Sequence, residues 1–251
     1  MKLPLHWMLC AALAWTAPVA ARADEVRVLA AGAAKAALEK VAPAFESATG
    51  HTMLVSFDTV GAQRDRVLKG EAADLVLLTD SAIAQLATAG RLTGEQRQFI
   101  GNVAVSLAVR AGAAVPDIST PEAVKLALQQ VTTIAYADPA RGATAGTHFD
   151  KVLAQLGLRE TLRPKLHVLP FGVDVIRDVA SGKYALGVSQ SSEILQHEGI
   201  TMVGPLPAPY ALTTGYSAAV TSARPAAELL LQFLASAPVV AQFRATGFVK
   251  N

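Results

Sequence analysis

The stretch "YADPARGATAGTHFDKVLAQLGL", Tyr136 to Leu158, decides the reading of this chain. An apolar run, VTTIAYA (131–137), reaches a polar hinge, passes through small residues and enters a helical pattern. Apolar strand followed by amphipathic helix is the unit of a buried parallel sheet. Glycine, alanine and threonine at the handover suit a backbone that something approaches closely. The stretch lacks G-x-x-x-x-G-K-[ST], so no lysine is supplied to reach phosphates as in a P-loop. What remains is a helix start with Thr144 and Thr147 as hydroxyl donors, Gly142 and Gly146 permitting close contact, and Arg141 nearby. Ligand contact and plain helix capping are both open there.

The same unit recurs on either side. Strands are expected at 26–32, 52–57 and 73–79, each followed by a helix, at 34–48, 62–69 and 81–89. "NVAVSLAVR" (102–110) is a longer extended run with no helix directly after it. Alternation resumes with helix 121–129, strand 132–137, helix 146–156, strand 166–170, helix 173–181 and strand 185–189. A Pro-rich segment, "GPLPAPYA" (204–211), leads to a second extended run, "LTTGYSAAVT", and two closing helices, 225–235 and 237–246. Two extended runs bracketing a second α/β set indicate two lobes joined by two hinge crossings. The expected fold is thus α/β and two-lobed, with parallel-rich sheets flanked by helices. Lobe one is expected over 24–104 plus 212–251, and lobe two over 105–211.

Residues 1–23 read as a secretory signal peptide. Lys2 precedes the apolar "WMLCAALAW", and Ala21–Arg22–Ala23 offers small residues for cleavage before Asp24. The only cysteine, Cys10, and both tryptophans lie in this leader, so the mature chain has no disulfide and no thiol. The whole chain carries a formal charge of +2; removing Lys2 and Arg22 leaves it neutral, against a nucleic-acid footprint. The expectation is a periplasmic protein with no membrane span in its mature chain.

Ligands of parallel α/β sheets gather at the carboxyl ends of strands, where helix starts present free N–H groups. Five such junctions hold small or hydroxylic residues. They are "AGAAK" (31–35), "DTVGAQR" (58–64), "RGATAGTH" (141–148), "PFGVD" (170–174) and "SQSSE" (189–193). The candidate ligand-binding set is Gly32, Ala33, Thr59, Gly61, Arg64, Arg141, Thr144, Thr147, Val173, Ser189, Gln190 and Ser191. Arg64 has the planar fork that clamps a carboxylate, whereas Arg66 fits a solvated helix face. Asp58 is placed to orient an arginine or to cap a helix. His148 and Glu193 are the candidates for proton transfer, if there is turnover; a surface histidine and a capping carboxylate are the plainer alternatives. The histidines at 51, 148, 167 and 197 form no i,i+4 pair, and no metal or cofactor is expected.

Segments along nearly all of the mature chain carry a resemblance. They are "VLAAGAAKAALEKVAPAFESATG", "GEAADLVLLTD", "GNVAVSLAVR", "SGKYALGVSQSSEI" and "LLLQFLASAPVVAQFRATGF". They resemble the periplasmic molybdate-binding proteins of ABC transporters and the wider type II solute-binding proteins. The resemblance implies capture of a small anion by lobe closure and delivery to an ABC transporter's membrane component. It also implies serines after the first two strands and a late tyrosine; here those positions hold Ala33 (beside Gly32), Thr59 or one of its neighbours, and Ser189. This divergent branch is similar as well to bacterial aconitate isomerase, which implies an alternative function. That function is cofactor-free interconversion of cis- and trans-aconitate by an allylic proton shift.

Overall fold

The computed structural model describes residues 23–249; the expected leader, apart from Ala23, lies outside that range. Nine strands form one sheet among the described residues, in the order β2-β1-β3-β9-β4-β7-β5-β6, with β8 also on β4. The strands are β1 (Glu25–Ala31), β2 (Thr52–Asp58), β3 (Leu75–Thr79), β4 (Arg97–Arg110), β5 (Ile134–Ala137), β6 (Leu166–Leu169), β7 (Leu186–Gln190), β8 (Ile200–Pro205) and β9 (Thr213–Val220). Between them run α1 (Lys35–Thr49), α2 (Val60–Leu68), α3 (Asp80–Thr88), α4 (Pro121–Gln130), α5 (Thr144–Gln155), α6 (Arg159–Leu162), α7 (Gly172–Ala180) and α8 (Ser191–Ile194). The chain closes with α9 (Pro225–Leu234) and α10 (Ala237–Ala245). The alternating α/β pattern expected from the sequence is therefore the one observed.

The parallel pairs β1/β2, β1/β3, β5/β6 and β5/β7 form the outer parts of the sheet, and antiparallel β9 and β4 cross its middle. Leu75–Thr79 is buried at every position, as a strand covered by helices on both faces must be. Helix starts follow from local chemistry. Thr59, Thr79 and Thr120 each accept a first-turn N–H at the head of α2, α3 and α4. Gly50, at φ 74°, closes α1 in the left-handed conformation.

Two cores make two lobes. One is drawn from residues between Val26 and Val103 and between Tyr216 and Phe248, with Phe45, Phe243 and Phe248 fully enclosed. The other is drawn from Val105 to Leu206 and includes Phe149, which meets Tyr136 edge-on at 5.3 Å; lobe two also holds a smaller cluster around Val175 and Ile176. Both crossings are visible. Residues 97–104 of β4 pair with β9 in lobe one, and residues 105–110 pair with β7 and β8 in lobe two. The return path touches it: Val105 N–H donates to Leu212 O at 2.9 Å, and Leu206 N–H to Val105 O at 3.3 Å. Strand β8 and the first five residues of β4 extend the pattern expected from the sequence.

Candidate functional site

The carboxyl ends of β1, β2, β5, β6 and β7 meet between the lobes around a cavity of about 300 Å³. Lobe one contributes Gly32, Ala33 and Lys35 after β1, Asp58 and Thr59 after β2, and Tyr216 from β9. Lobe two contributes Thr144 at the start of α5, Phe171 to Asp174 at the start of α7, and Ser189, Gln190 and Glu193 around α8. Two of these helix starts, both in lobe two, have no side chain on their first-turn N–H groups, and the turn at Gly32 after β1, headed by Ala31, has none either. Ala143 heads α5 and Phe171 heads α7, and neither offers a capping acceptor. Unclaimed N–H groups at the positive end of a helix form an anion site.

The glycines of the opening stretch have specific reasons. Gly146 lies so close to the Ala137 carbonyl that no side chain fits between α5 and β5. Gly142, at φ 70°, packs on Gly61 across the lobe boundary: a Cβ on Gly61 would stand 2.7 Å from Gly142 Cα. Gly61 N–H donates to Gly142 O at 3.1 Å, and the Thr59 hydroxyl donates to Arg141 O. Arg141 Nη2 donates to Asp58 Oδ1 at 2.8 Å, with the guanidinium carbon 4.9 Å from the centroid of the Phe171 ring. The lobes are thus clasped directly, backbone to backbone.

Two titratable groups sit deep in the cavity. Glu193 accepts from the Ser189 hydroxyl and from the Gln190 N–H at 3.4 Å, and keeps part of its surface open to the cavity. Burial pushes its carboxyl above the usual carboxylate range, although both hydrogen bonds favour the ionised form. Tyr216 is almost wholly buried, and its hydroxyl receives a 3.4 Å hydrogen bond from Gln190 Nε2. Burial raises its phenol too, with Glu193 adding to the shift and Thr144 and Gln190 opposing it.

On the other side of the Gly61–Gly142 contact lies a more open recess of about 540 Å³. It holds Arg64 from α2, Thr147, His148 and Lys151 from α5, and Asp80 from α3. Arg64 is committed to Asp65 at 2.7 Å and to Gln85 at 3.1 Å. His148 Nε2 donates to Tyr210 O at 2.7 Å. Helical spacing explains the grouping: 60 and 64, and 144, 147, 148 and 151, each share one face. Val60 and Thr144 reach both spaces, while the later residues face only the recess.

The candidate residues therefore divide. Gly32, Ala33, Thr59, Thr144, Val173, Ser189, Gln190 and Glu193 converge on the inner cavity. Gly61 and Arg141 form the clasp, and Arg64, Thr147 and His148 lie in the recess. The Ser191 hydroxyl instead accepts from Ala104 N–H at 3.2 Å, pinning α8 to the crossing strand. Lys35, Gly172 and Tyr216 line the cavity without having been singled out from the sequence. The tyrosine's only signal was its place in the extended run "LTTGYSAAVT". Among the described residues no cluster of three or more His, Cys, Asp or Glu side chains forms a metal site, and no single helix is long and apolar enough to cross a membrane.

Comparison with known proteins agrees with this architecture. Residues 26–249 match a family described as bacterial extracellular solute-binding protein. A protein named aconitate isomerase, from a Pseudomonas species, is 34% identical over 218 residues, covering 83% of this chain and 81% of its own length. The periplasmic molybdate-binding protein of Azotobacter vinelandii superposes with a TM-score of 0.72 at 22% identity, covering 90% of this chain and 99% of that one. The substrate-binding domain of a putative molybdenum ABC transporter from Clostridium difficile gives 0.67 at 21% identity, over 91% and 100% of the two chains. The structural neighbours share the fold, and the family match spans both lobes and both crossings: the chain belongs to the bacterial extracellular solute-binding proteins.

Proposed function

We propose that this protein captures a small carboxylate anion in the inner cavity by closure of its two lobes, hinged near residues 104–105 and 211–212. The observation that carries this reading is the pair of uncapped starts of α5 and α7 facing one enclosed space. Their N–H groups supply directional donors, and the Tyr216 hydroxyl, which accepts from Gln190, keeps its own proton to offer, whereas the Thr59 and Ser189 protons are committed to Arg141 O and to Glu193. Size favours a carboxylate over a tetrahedral oxyanion. About 300 Å³ corresponds to roughly ten waters at ~30 Å³ each, more than a five-atom oxyanion fills. A polycarboxylate of about a dozen non-hydrogen atoms suits the space better. We further propose export through cleavage before Asp24, residence in the periplasm, and an ABC transporter membrane component as the recipient of the cargo.

A second reading, turnover of the same class of ligand, is favoured by the 34% identical relative named aconitate isomerase. An allylic shift needs a base that takes a proton from one carbon and returns it to another. Glu193, which pairs with no cation among the described residues, is the candidate for that role in its ionised form; His148 lies in the recess and is turned to the Tyr210 carbonyl. One experiment addresses both readings. The purified protein is titrated calorimetrically with trans-aconitate, tricarballylate, citrate, molybdate and sulfate, and trans-aconitate is followed by NMR. Capture predicts tighter binding of the tricarboxylates than of the oxyanions. Turnover predicts growth of the cis isomer, lost in Glu193→Gln. Molybdate as the tightest ligand would overturn the carboxylate reading.

A further inference from the structure

The Glu193 carboxyl is wedged between the lobes. Its Oε1 lies where a Cβ on Gly32, in lobe one, would come within 3.1 Å, and its Oε2 crowds Gly172 at the start of α7 in lobe two. Both glycines border the anion-binding space, so Glu193 shares that space with whatever anion enters it. Of the charged neighbours the two carboxylates are matched, while Lys35 is held only loosely at the exposed rim. Asp58 pairs with Arg141 at 2.8 Å, Asp174 with Arg177 at 2.6 Å, and Lys35 with Glu39 at 3.8 Å. Tyr216 is the remaining titratable group of the cavity. The small cleft behind Glu193 adds His197, whose Nδ1 bonds the Glu198 carbonyl. Beneath α8, strand β8 contains no charged residue, and those of β4, Arg97 and Arg110, stand exposed at its two ends. Among the described residues no cation stands within salt-bridge distance of Glu193 to hold it ionised beside an ionised ligand.

Resting on the capture reading above, we propose that the closed, loaded cleft holds Glu193 as a neutral acid, so that the anion and one proton are taken up together. With the lobes apart, Gly32 withdraws and water reaches the carboxyl more freely, which favours its ionised form. Closure brings Gly32 against it, and ligand displaces the water that still reaches it. Like charges in that enclosed space repel with little screening, whereas a carboxylic acid can donate a hydrogen bond to the ligand's carboxylate. Proton balance is simple: one proton leaves the solvent and resides on a Glu193 oxygen until the lobes open.

The test uses tricarballylate, a saturated tricarboxylate with no double bond to isomerise, titrated between pH 7 and 9, where it is fully ionised. The dissociation constant of the wild-type protein is expected to rise about tenfold per pH unit once Glu193 ionises in the free protein. The binding enthalpy should vary with the ionisation heat of the buffer, with a slope approaching one proton taken up. Glu193→Gln keeps the shape and a hydrogen-bond donor and should bind with no pH dependence. A wild-type affinity flat across the range, with no buffer-dependent heat, would overturn the inference and leave capture standing; this readout needs no variant. Absence of binding by every tricarboxylate at every pH would overturn the capture reading as well.

Discussion

The inner cavity and the outer recess lie a few residues apart, on opposite sides of the Gly61–Gly142 contact, and they are built on different chemistry. The recess is open and carries basic side chains: Arg64, bonded to Asp65 and Gln85, His148, bonded to the Tyr210 carbonyl, and Lys151. The inner cavity has Lys35 loosely held at its exposed rim, and otherwise uncapped helix starts, hydroxyls and one carboxyl of raised pKa. On the proposed reading, capture of an anion there would rely on fixed backbone dipoles more than on mobile charges. Dipoles of that kind need no reorganisation when the ligand arrives and lose little entropy in holding it. Basic side chains in the recess are instead suited to attracting anions from solution.

That contrast can be broken most severely at the clasp. Gly61→Val would drive a side chain into Gly142 Cα, against a gap of only 2.7 Å to the first added atom. Overpacking of this kind costs about 1–3 kcal/mol, so tricarballylate affinity should fall by roughly tenfold or more while each lobe stays folded. Unchanged calorimetric affinity would mean that the lobes do not close as observed. A smaller effect is expected inside the cavity. Tyr216→Phe removes a buried hydroxyl that meets Gln190 at 3.4 Å and should weaken binding by about fivefold, or ~1 kcal/mol, with the thermal midpoint little changed. The smallest effects belong to the recess. Arg64→Gln and His148→Ala should each leave the equilibrium affinity within about twofold, because both side chains face the recess, bonded to their own neighbours, and not the inner cavity. A tenfold loss in either would move the site outward and erase the distinction between the two regions.

Much of this was written in the sequence, for identifiable reasons. Strands covered on both faces, such as Leu75–Thr79, announce themselves as unbroken apolar runs. Helices α4 and α9 begin at prolines and were bounded within a residue. Strand β8 escaped because Ile200–Pro205 is half-exposed and ends in Gly–Pro, which reads as a loop. The early part of β4 escaped because its pairing with β9 joins residues more than a hundred positions apart, which no local pattern records. At the site, the strand–helix junctions were legible because helix starts at strand ends have a fixed grammar. Which way a helix face looks was not: spacing puts Thr144, Thr147 and His148 together without saying on which side of the clasp they fall. Tyr216 stayed hidden because its role arises only when the crossing strand carries it beneath the other lobe's Gln190.

The most direct test is a backbone amide NMR titration of the purified protein with tricarballylate. The largest shifts should fall on the first turns of α5 and α7, at residues 144–146 and 172–174, with Arg64 and Lys151 nearly still. Shifts centred on Arg64, His148 and Lys151, with those two helix starts unmoved, would contradict capture in the inner cavity.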